Sequence, residues 1–419
     1  MTSLEKAFAE ARRLPHLAHG SGALVISHVT ARFRNAFDSA IQSSGPCFFV
    51  AALALVLKAC YGSGPIDGEP ATTDTGSESD SDSDSESEPN VHHAPCNGFH
   101  AIHGSGPGEV WVGGSCGMIH NLTGDDWVDR SVAADVHVRG IWSPEPGRAL
   151  AVGFRCSPGG CGEFTAVMLS FENGGWHEEQ IEAPPSSSLL AVWGSSPDDV
   201  WAAGWGGLIL RGDGASWSKV PPPSAEGFDG VHLVVMGIHG STANAVYLAG
   251  FSRTCVLYED CTPCGELWRW NGVGFEFAWV SSCEWMLQDV WVAPSDHVFA
   301  VSTYGRAVVG EGEDWQKMYA DDEHRDFSGV WARNENDVFA VGYRSLALGF
   351  DGESWSALPQ VPGDINLRDV WGESETVWAV GREQLDSAIP AGECDPEKRA
   401  VVLEFDGTAW TEVLSLPPC

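Results

Sequence analysis

The sequence predicts an all-β chain folded as a seven-bladed β-propeller of four-stranded blades, and three observations predict it. One pattern recurs seven times between Phe99 and Trp410: an aliphatic-aromatic pair, a second pair about eight residues later, an apolar run, and a Gly- and acid-rich turn closed by an aromatic. The first pairs stand 39, 51, 46, 52, 40 and 40 residues apart, against the roughly 40 that a four-stranded blade needs. The apolar pieces have strand length, are rich in β-branched and aromatic residues, and are separated by Asp, Asn, Gly and Pro.

Each repeat divides into strands a to d, counted from the axis outward. The first pair, on strand a, is Ile102-His103, Ile141-Trp142, Val192-Trp193, Ile238-His239, Val290-Trp291, Val330-Trp331 and Val370-Trp371. The second, on strand b, is Val110-Trp111, Leu150-Ala151, Val200-Trp201, Val246-Tyr247, Val298-Phe299, Val338-Phe339 and Val377-Trp378. The closing aromatics are Trp127, Trp176, Trp217, Phe275, Trp315, Trp355 and Trp410. In blade six the strands are expected at Ser328–Ala332, Asp337–Val341, Leu346–Phe350 and Ser354–Leu358. Nineteen Trp invite a carbohydrate-stacking reading. Most of them occupy repeat positions, where large aromatics fill the wedge between blades.

The ends of the chain carry a different signal. Residues 47–57, CFFVAALALVL, have the length of a signal-peptide core and are too short to span a bilayer, which takes about 20 residues. Arg32 and Arg34 precede this run and Leu57 to Cys60 follow it. LKAC resembles the lipobox of bacterial lipoproteins, which implies lipid attachment at Cys60; Lys58 departs from the usual small or uncharged residue. Three segments are therefore expected: an N-terminal extension with a lipoprotein-type signal (1–60), a disordered acidic Ser/Asp linker (61–95), and the propeller (96–419). Nothing in the Asp-Ser run fixes a calcium cage. The chain is expected at the cell envelope or outer-membrane surface, with plain secretion or a periplasmic location as the alternatives.

Residues 1–60 hold six basic and three acidic side chains, residues 61–90 hold nine acids, and the rest carries 17 basic and 46 acidic residues of the net −35. Such a propeller repels nucleic acid and anionic lipid, so membrane association is expected only through the lipid. Ten Cys remain once Cys47 and Cys60 are set aside, an even number that favours disulfides in an exported domain. Cys156 and Cys161 are expected to pair locally, Cys96 with Cys419 to close the ring, and Cys116 with Cys394. Cys255, Cys261, Cys264 and Cys283 then have three possible connectivities. Cys261 and Cys264 would also suit half of a zinc site or a redox pair, but neither a second CxxC nor a βαβ context accompanies them. No metal or other cofactor is expected.

In a propeller the b–c and d–a connections share one face, the top. The long repeats are two, four and seven, and their extra residues (156–165, 254–266 and 383–398) fall between strands b and c. Just after strand b, several blades place an aromatic or an Arg: Phe154 and Arg155, Trp205, Phe251 and Arg253, Tyr304 and Arg306, Tyr343 and Arg344, and Arg382. Arg offers a planar fork for carboxylates and aromatics offer stacking faces, so this set is the candidate ligand-binding face. The competing expectation is that these Arg pair with acidic neighbours on adjacent blades and the aromatics pack beneath the insertions. Arg139 and Arg368, at the start of strand a, are expected nearer the axis on the same face.

The stretch VWGSSPDDVWAAGWGGLILRGDGASW (residues 192–217) resembles the repeats of bacterial secreted and lipoprotein propellers, myxobacterial ones among them. In outline it is also similar to BNR/Asp-box propellers and to photosystem II assembly factors of that fold. The turns at Asp213–Trp217, Asp351–Trp355 and Asp406–Trp410 keep the Asp, Gly and Trp of an Asp box at altered spacing. The resemblance implies the fold. A sialidase's Arg cluster, Tyr-Glu pair and Asp acid do not map onto numbered residues here. The expected function is a non-enzymatic, monomeric binding or scaffold protein that recognises a protein, peptide or glycan on the top face, with no catalytic residue assigned. A glycan-active hydrolase or lyase, which needs two carboxylates flanking a pocket, is the alternative. An envelope-complex assembly factor is another.

Overall fold

The computed structural model describes residues 98–106, 108–157, 160–223, 233–252, 264–281, 285–312, 314–320, 323–384 and 398–417. These form seven four-stranded antiparallel sheets, each of four consecutive strands, in residues 99–129, 136–178, 189–219, 234–280, 287–320, 327–357 and 365–416. The fold is the expected seven-bladed propeller. Blade six consists of Phe327–Asn334, Asp337–Gly342, Leu346–Phe350 and Trp355–Ala357, within two residues of the expected bounds. The signal segment, Cys60, the acidic linker, Arg253, Cys96, Cys255, Cys261, Cys283, Cys394 and Cys419 lie outside the described residues.

The c–d turns explain their Asp-Gly signature. Asp213 accepts the N–H groups of Ala215 (3.0 Å) and Ser216 (2.8 Å), Asp351 those of Glu353 (2.9 Å) and Ser354 (2.8 Å), and Asp406 those of Thr408 (2.8 Å) and Ala409 (2.9 Å). The carboxylate thus replaces main-chain acceptors in a tight turn. In blade four Asn271 does the same for Val273 and Gly274, both at 3.0 Å.

Seven large apolar cores hold the ring together, one between each pair of neighbouring blades. Each closing aromatic packs into the core between its own blade and the preceding one. Trp127 accordingly joins the blade seven–blade one core beside Phe99, Ile102, Trp378 and Val402. Trp111 and Trp201 are wholly buried. The repeat-position Trp are therefore wedges, as large aromatic area on a propeller blade requires. Among the described residues no blade borrows a strand from the other end of the chain, and blades seven and one are joined by this core and by polar contacts.

The blade-two insertion is a continuation of the sheet rather than an irregular loop. Strands Arg148–Ser157 and Gly160–Glu172 pair out to Cys156↔Phe164 and Ser157↔Gly160, and the Cys156–Cys161 disulfide spans the hairpin. Cys116 and Cys264 are also disulfide-bonded; the second members of their proposed pairings lie outside the described residues.

Candidate ligand-binding face

The innermost strand of every blade carries a register break at the same place, two residues before the Val or Ile of the first pair. The skipped residues are His100, Arg139, Leu190, Met236, Gln288, Ser328 and Arg368. A β-bulge leaves one residue unpaired and re-aims its side chain. Repeated seven times, it builds a ring of seven side chains around the upper end of the central channel. Glycine at the end of strand b makes room for it. A Cβ on Gly153 would stand 1.9 Å from the His137 carbonyl oxygen, and one on Gly250 1.9 Å from that of Val234.

The ring has three sectors. Blades seven, one and two, consecutive around the closure, contribute Arg368, His100 and Arg139. Blades three and four contribute Leu190 and Met236, which pack with Phe251, Trp205 and Met286. Blades five and six contribute Gln288 and Ser328. Arg382, on strand b of blade seven, adjoins the cationic sector and acts on His100 with Arg139 and Arg368. His100 Nε2 pairs with Ser115 Oγ at 2.9 Å, and Arg139 Nη1 lies 3.5 Å from His100 Nδ1. Arg368 donates from Nη1 to the Tyr343 hydroxyl and lies over its ring, 4.7 Å from the centroid.

Electrostatics reflect this crowding. Burial, then the Arg139, Arg368 and Arg382 charges, holds His100 well below the usual imidazole range. Burial and the Arg368 guanidinium lower Arg139 to about 10. Blades two and seven are not neighbours, so the Arg139–Arg368 coupling runs across the channel mouth.

One residue further along strand a, blades five and seven place Asp289 and Asp369. Asp289 accepts from Val290 N (2.8 Å) and from Val330 N of the next blade (2.9 Å). Asp369 accepts from Val370 N (2.8 Å) and from Ile102 N of blade one (2.9 Å). Burial raises both carboxyls, Asp289 to about 7, and the Asp289 charge raises Asp369 further. These two acids converge on the channel, yet both are occupied as staples between blades. Two residues deeper lies a ring of five Trp and two His. His103 and His239 take their places among the tryptophans, and their Nδ1 atoms accept from Ser143 N (3.2 Å) and Val292 N (3.1 Å) of the following blades.

A cleft of about 290 Å³ opens on the top face between blades six and seven, lined by His324, Arg325, Asp326, Tyr343, Arg344 and Asn366 among others. Tyr343 belongs both to this cleft and, through Arg368, to the channel mouth. Asp326 accepts from Tyr304 N at 2.7 Å and feels the Arg368 charge.

The candidate residues thus separate. Tyr343, Arg344 and Arg382 lie at the cleft and the mouth, and Trp205 lies on the apolar sector. Tyr304 is exposed at 52% and Arg306 is half-buried. Phe251 (3% exposed) and Phe154 (4%) lie beneath the face rather than on it. Phe154 stacks on His137 with centroids 5.1 Å apart and meets Phe164 edge-on. Arg155 is taken up by Glu178, through two bonds of 2.9 Å, and by Asp135 at 3.3 Å; it is paired with acids, but with those of its own blade rather than of an adjacent one. His100 was not among the candidates, although its position two before Ile102 matches Arg139 and Arg368. His137, Cys156 and Cys161 bring metal-ligand atom types together, but the two sulfurs are bonded to each other and neither is a thiolate donor.

No family model and no curated protein matches the chain. Among solved structures, the WD40 β-propeller domain of Doa1 is similar with a TM-score of 0.50 at 10% identity, covering 69% of this chain and 90% of that one. The structure of YCF48 bound to D1 peptide gives 0.48 at 12% identity, covering 69% and 91%. YCF48 from Cyanidioschyzon merolae gives 0.49 at 12%, covering 69% and 93%. At these identities the likeness concerns the fold alone.

Proposed function

We propose that this chain is a non-enzymatic binding protein whose ligand occupies the top face, from the cleft between blades six and seven to the channel mouth. The carrying observation is the position of Tyr343, which lines the cleft and accepts the Arg368 hydrogen bond at the mouth, so that one ligand reaches both. A rigid seven-bladed scaffold with chemically varied loops on one face is the usual setting for recognition. The hydrolase alternative needs two free carboxylates beside a pocket, and the converging pair, Asp289 and Asp369, is engaged by four main-chain N–H groups.

In this reading the domain is displayed outside the cytoplasm on an acidic tether, lipid-anchored at Cys60. The hydrophobic run before Cys60, the LKAC sequence and the even Cys count after it support that placement. Mass spectrometry of the mature N-terminus tests it, and an unprocessed Met1 would refute it.

Glycan and peptide arrays probed with the labelled full chain test the binding reading. Ligands retained by the wild type are expected to be lost by the double variant Tyr343→Ala, Arg344→Ala, with the thermal melt unchanged. Equal retention by both proteins, or no ligand for either, would remove the top-face assignment.

A further inference from the structure

We propose that the channel mouth is a binding site for a carboxylate that carries an apolar substituent. This deepens the binding reading above, because it assigns a chemical class to one end of the same basin.

The charge arrangement points to an anion. The propeller has 46 acidic residues and 17 basic ones, yet three of its Arg and one His gather at the mouth. Among the described residues, Arg139, Arg368 and Arg382 have no carboxylate at ion-pair distance, as Arg130, Arg306 and Arg344 elsewhere have none, whereas Arg148, Arg155, Arg211, Arg333 and Arg399 all do; what sets the mouth apart is that three such Arg stand together there. The Nε atoms of Arg368 and Arg382 are buried and unbonded. Like charges packed together with unmet donors destabilise a fold, and an incoming oxyanion supplies what is missing. Guanidinium groups suit the planar carboxylate.

One further feature narrows the class. In the next sector of the ring after Arg139, Leu190 and Met236 with Trp205 form an apolar wall, so the ligand's charge and its hydrophobic part are held in neighbouring sectors.

The test is calorimetric titration of the full chain with four probes: N-acetyl-L-leucine, octanoate, N-acetyl-L-leucinamide and inorganic phosphate. Binding of N-acetyl-L-leucine or octanoate, with none of the amide, is expected. The first acid would point to a peptide terminus as the source and the second to an aliphatic acid. Arg139→Met and Arg368→Met should each weaken that binding by about tenfold or more, the loss of one charge-assisted pair. Arg139→Met should also raise the melting temperature of the unliganded protein, because it relieves repulsion, whereas Arg368→Met loses the Tyr343 contacts as well and is read by its binding alone. Binding of the amide as tight as that of the acid, a preference for phosphate, no binding of either acid, or undiminished binding by both variants would overturn the proposal. An array ligand that depends on Tyr343 and Arg344 but not on Arg139 would leave the top-face reading standing and remove only the carboxylate assignment.

Discussion

The Asp369 carboxylate of blade seven accepts the Ile102 amide of blade one at 2.9 Å, across 267 residues of sequence. Asp289 makes the equivalent bond to Val330, between blades five and six, also at 2.9 Å. At the same position the other blades have Ala101, Gly140, Ala191, Gly237 and Gly329, which have no side-chain acceptor. Closure of the ring between blades seven and one thus coincides with one of only two such staples in the bulge layer. Asp369→Ala leaves the Ile102 N–H unmet and is expected to lower stability by about 1–3 kcal/mol in urea unfolding. Asp369→Asn keeps an acceptor and should recover most of that loss. An alanine variant as stable as the wild type would mean that the bond contributes nothing to closure.

The same pair makes stability depend on pH. Burial raises both carboxyls above their ordinary range, Asp289 to about 7, so between about pH 4 and pH 7 the folded state binds more protons than the unfolded chain. Their contribution is therefore fully present below the unfolded value and is lost as pH rises through the folded one. Replacing both by Asn should remove this term. The difference in unfolding free energy, wild type minus the double variant, is expected to fall between about pH 5 and about pH 7.5. A flat or rising difference would contradict the assignment.

Histidines in the channel act with the opposite sign. Burial depresses His239 to about 3 and His103 to about 4, so both are neutral in the fold while the unfolded chain gains protons below its ordinary imidazole value. Their contribution is present above about pH 6.5 and is lost as pH falls toward the folded value. His239→Asn preserves an acceptor for Val292 N and does not titrate. Its melting temperature should fall less than that of the wild type between about pH 7 and about pH 4.5. Parallel curves would show that His239 does not carry the acid sensitivity.

How much of this was readable beforehand differs between scaffold and site. The repeat pairs, closing aromatics and Asp-Gly turns were legible because each is a local demand of a blade: apolar wedges, β-branched strands, a carboxylate capping a tight turn. Arg139, Arg368, Tyr343, Arg344 and Arg382 were legible as top-face residues because their strand position fixes their height. Whether an Arg there is free is a long-range matter. Arg155 meets Glu178 from strand d of its own blade, and sequence order does not say which of many acids arrives. Phe154 and Phe251 share the position of Tyr343 but sink inward, Phe154 onto His137 and Phe251 onto Leu190. The bulge ring was hidden because a register slip leaves no mark in composition; counting two residues back from each Val or Ile would have found it.

Glycine at the end of strand b offers the most direct test of that ring. Six blades have Gly there, at Gly114, Gly153, Gly204, Gly250, Gly342 and Gly381, and blade five has Ser302. The residue faces the strand a carbonyl that precedes the bulge. At Gly250 a Cβ would stand 1.9 Å from Val234 O and 3.1 Å from Val235 Cα, both main-chain atoms that cannot rotate away. Gly250→Ala must therefore push strand a toward the channel, and overpacking of this kind costs about 1–3 kcal/mol. The displaced strand carries Met236 on the apolar wall, so ligand binding at the mouth should weaken together with stability. Gly274→Ala, where a Cβ meets nothing within 4 Å, is the control and should leave stability nearly unchanged. If Gly250→Ala unfolds at the wild-type urea concentration, strand a does not hold the bulge against strand b as described.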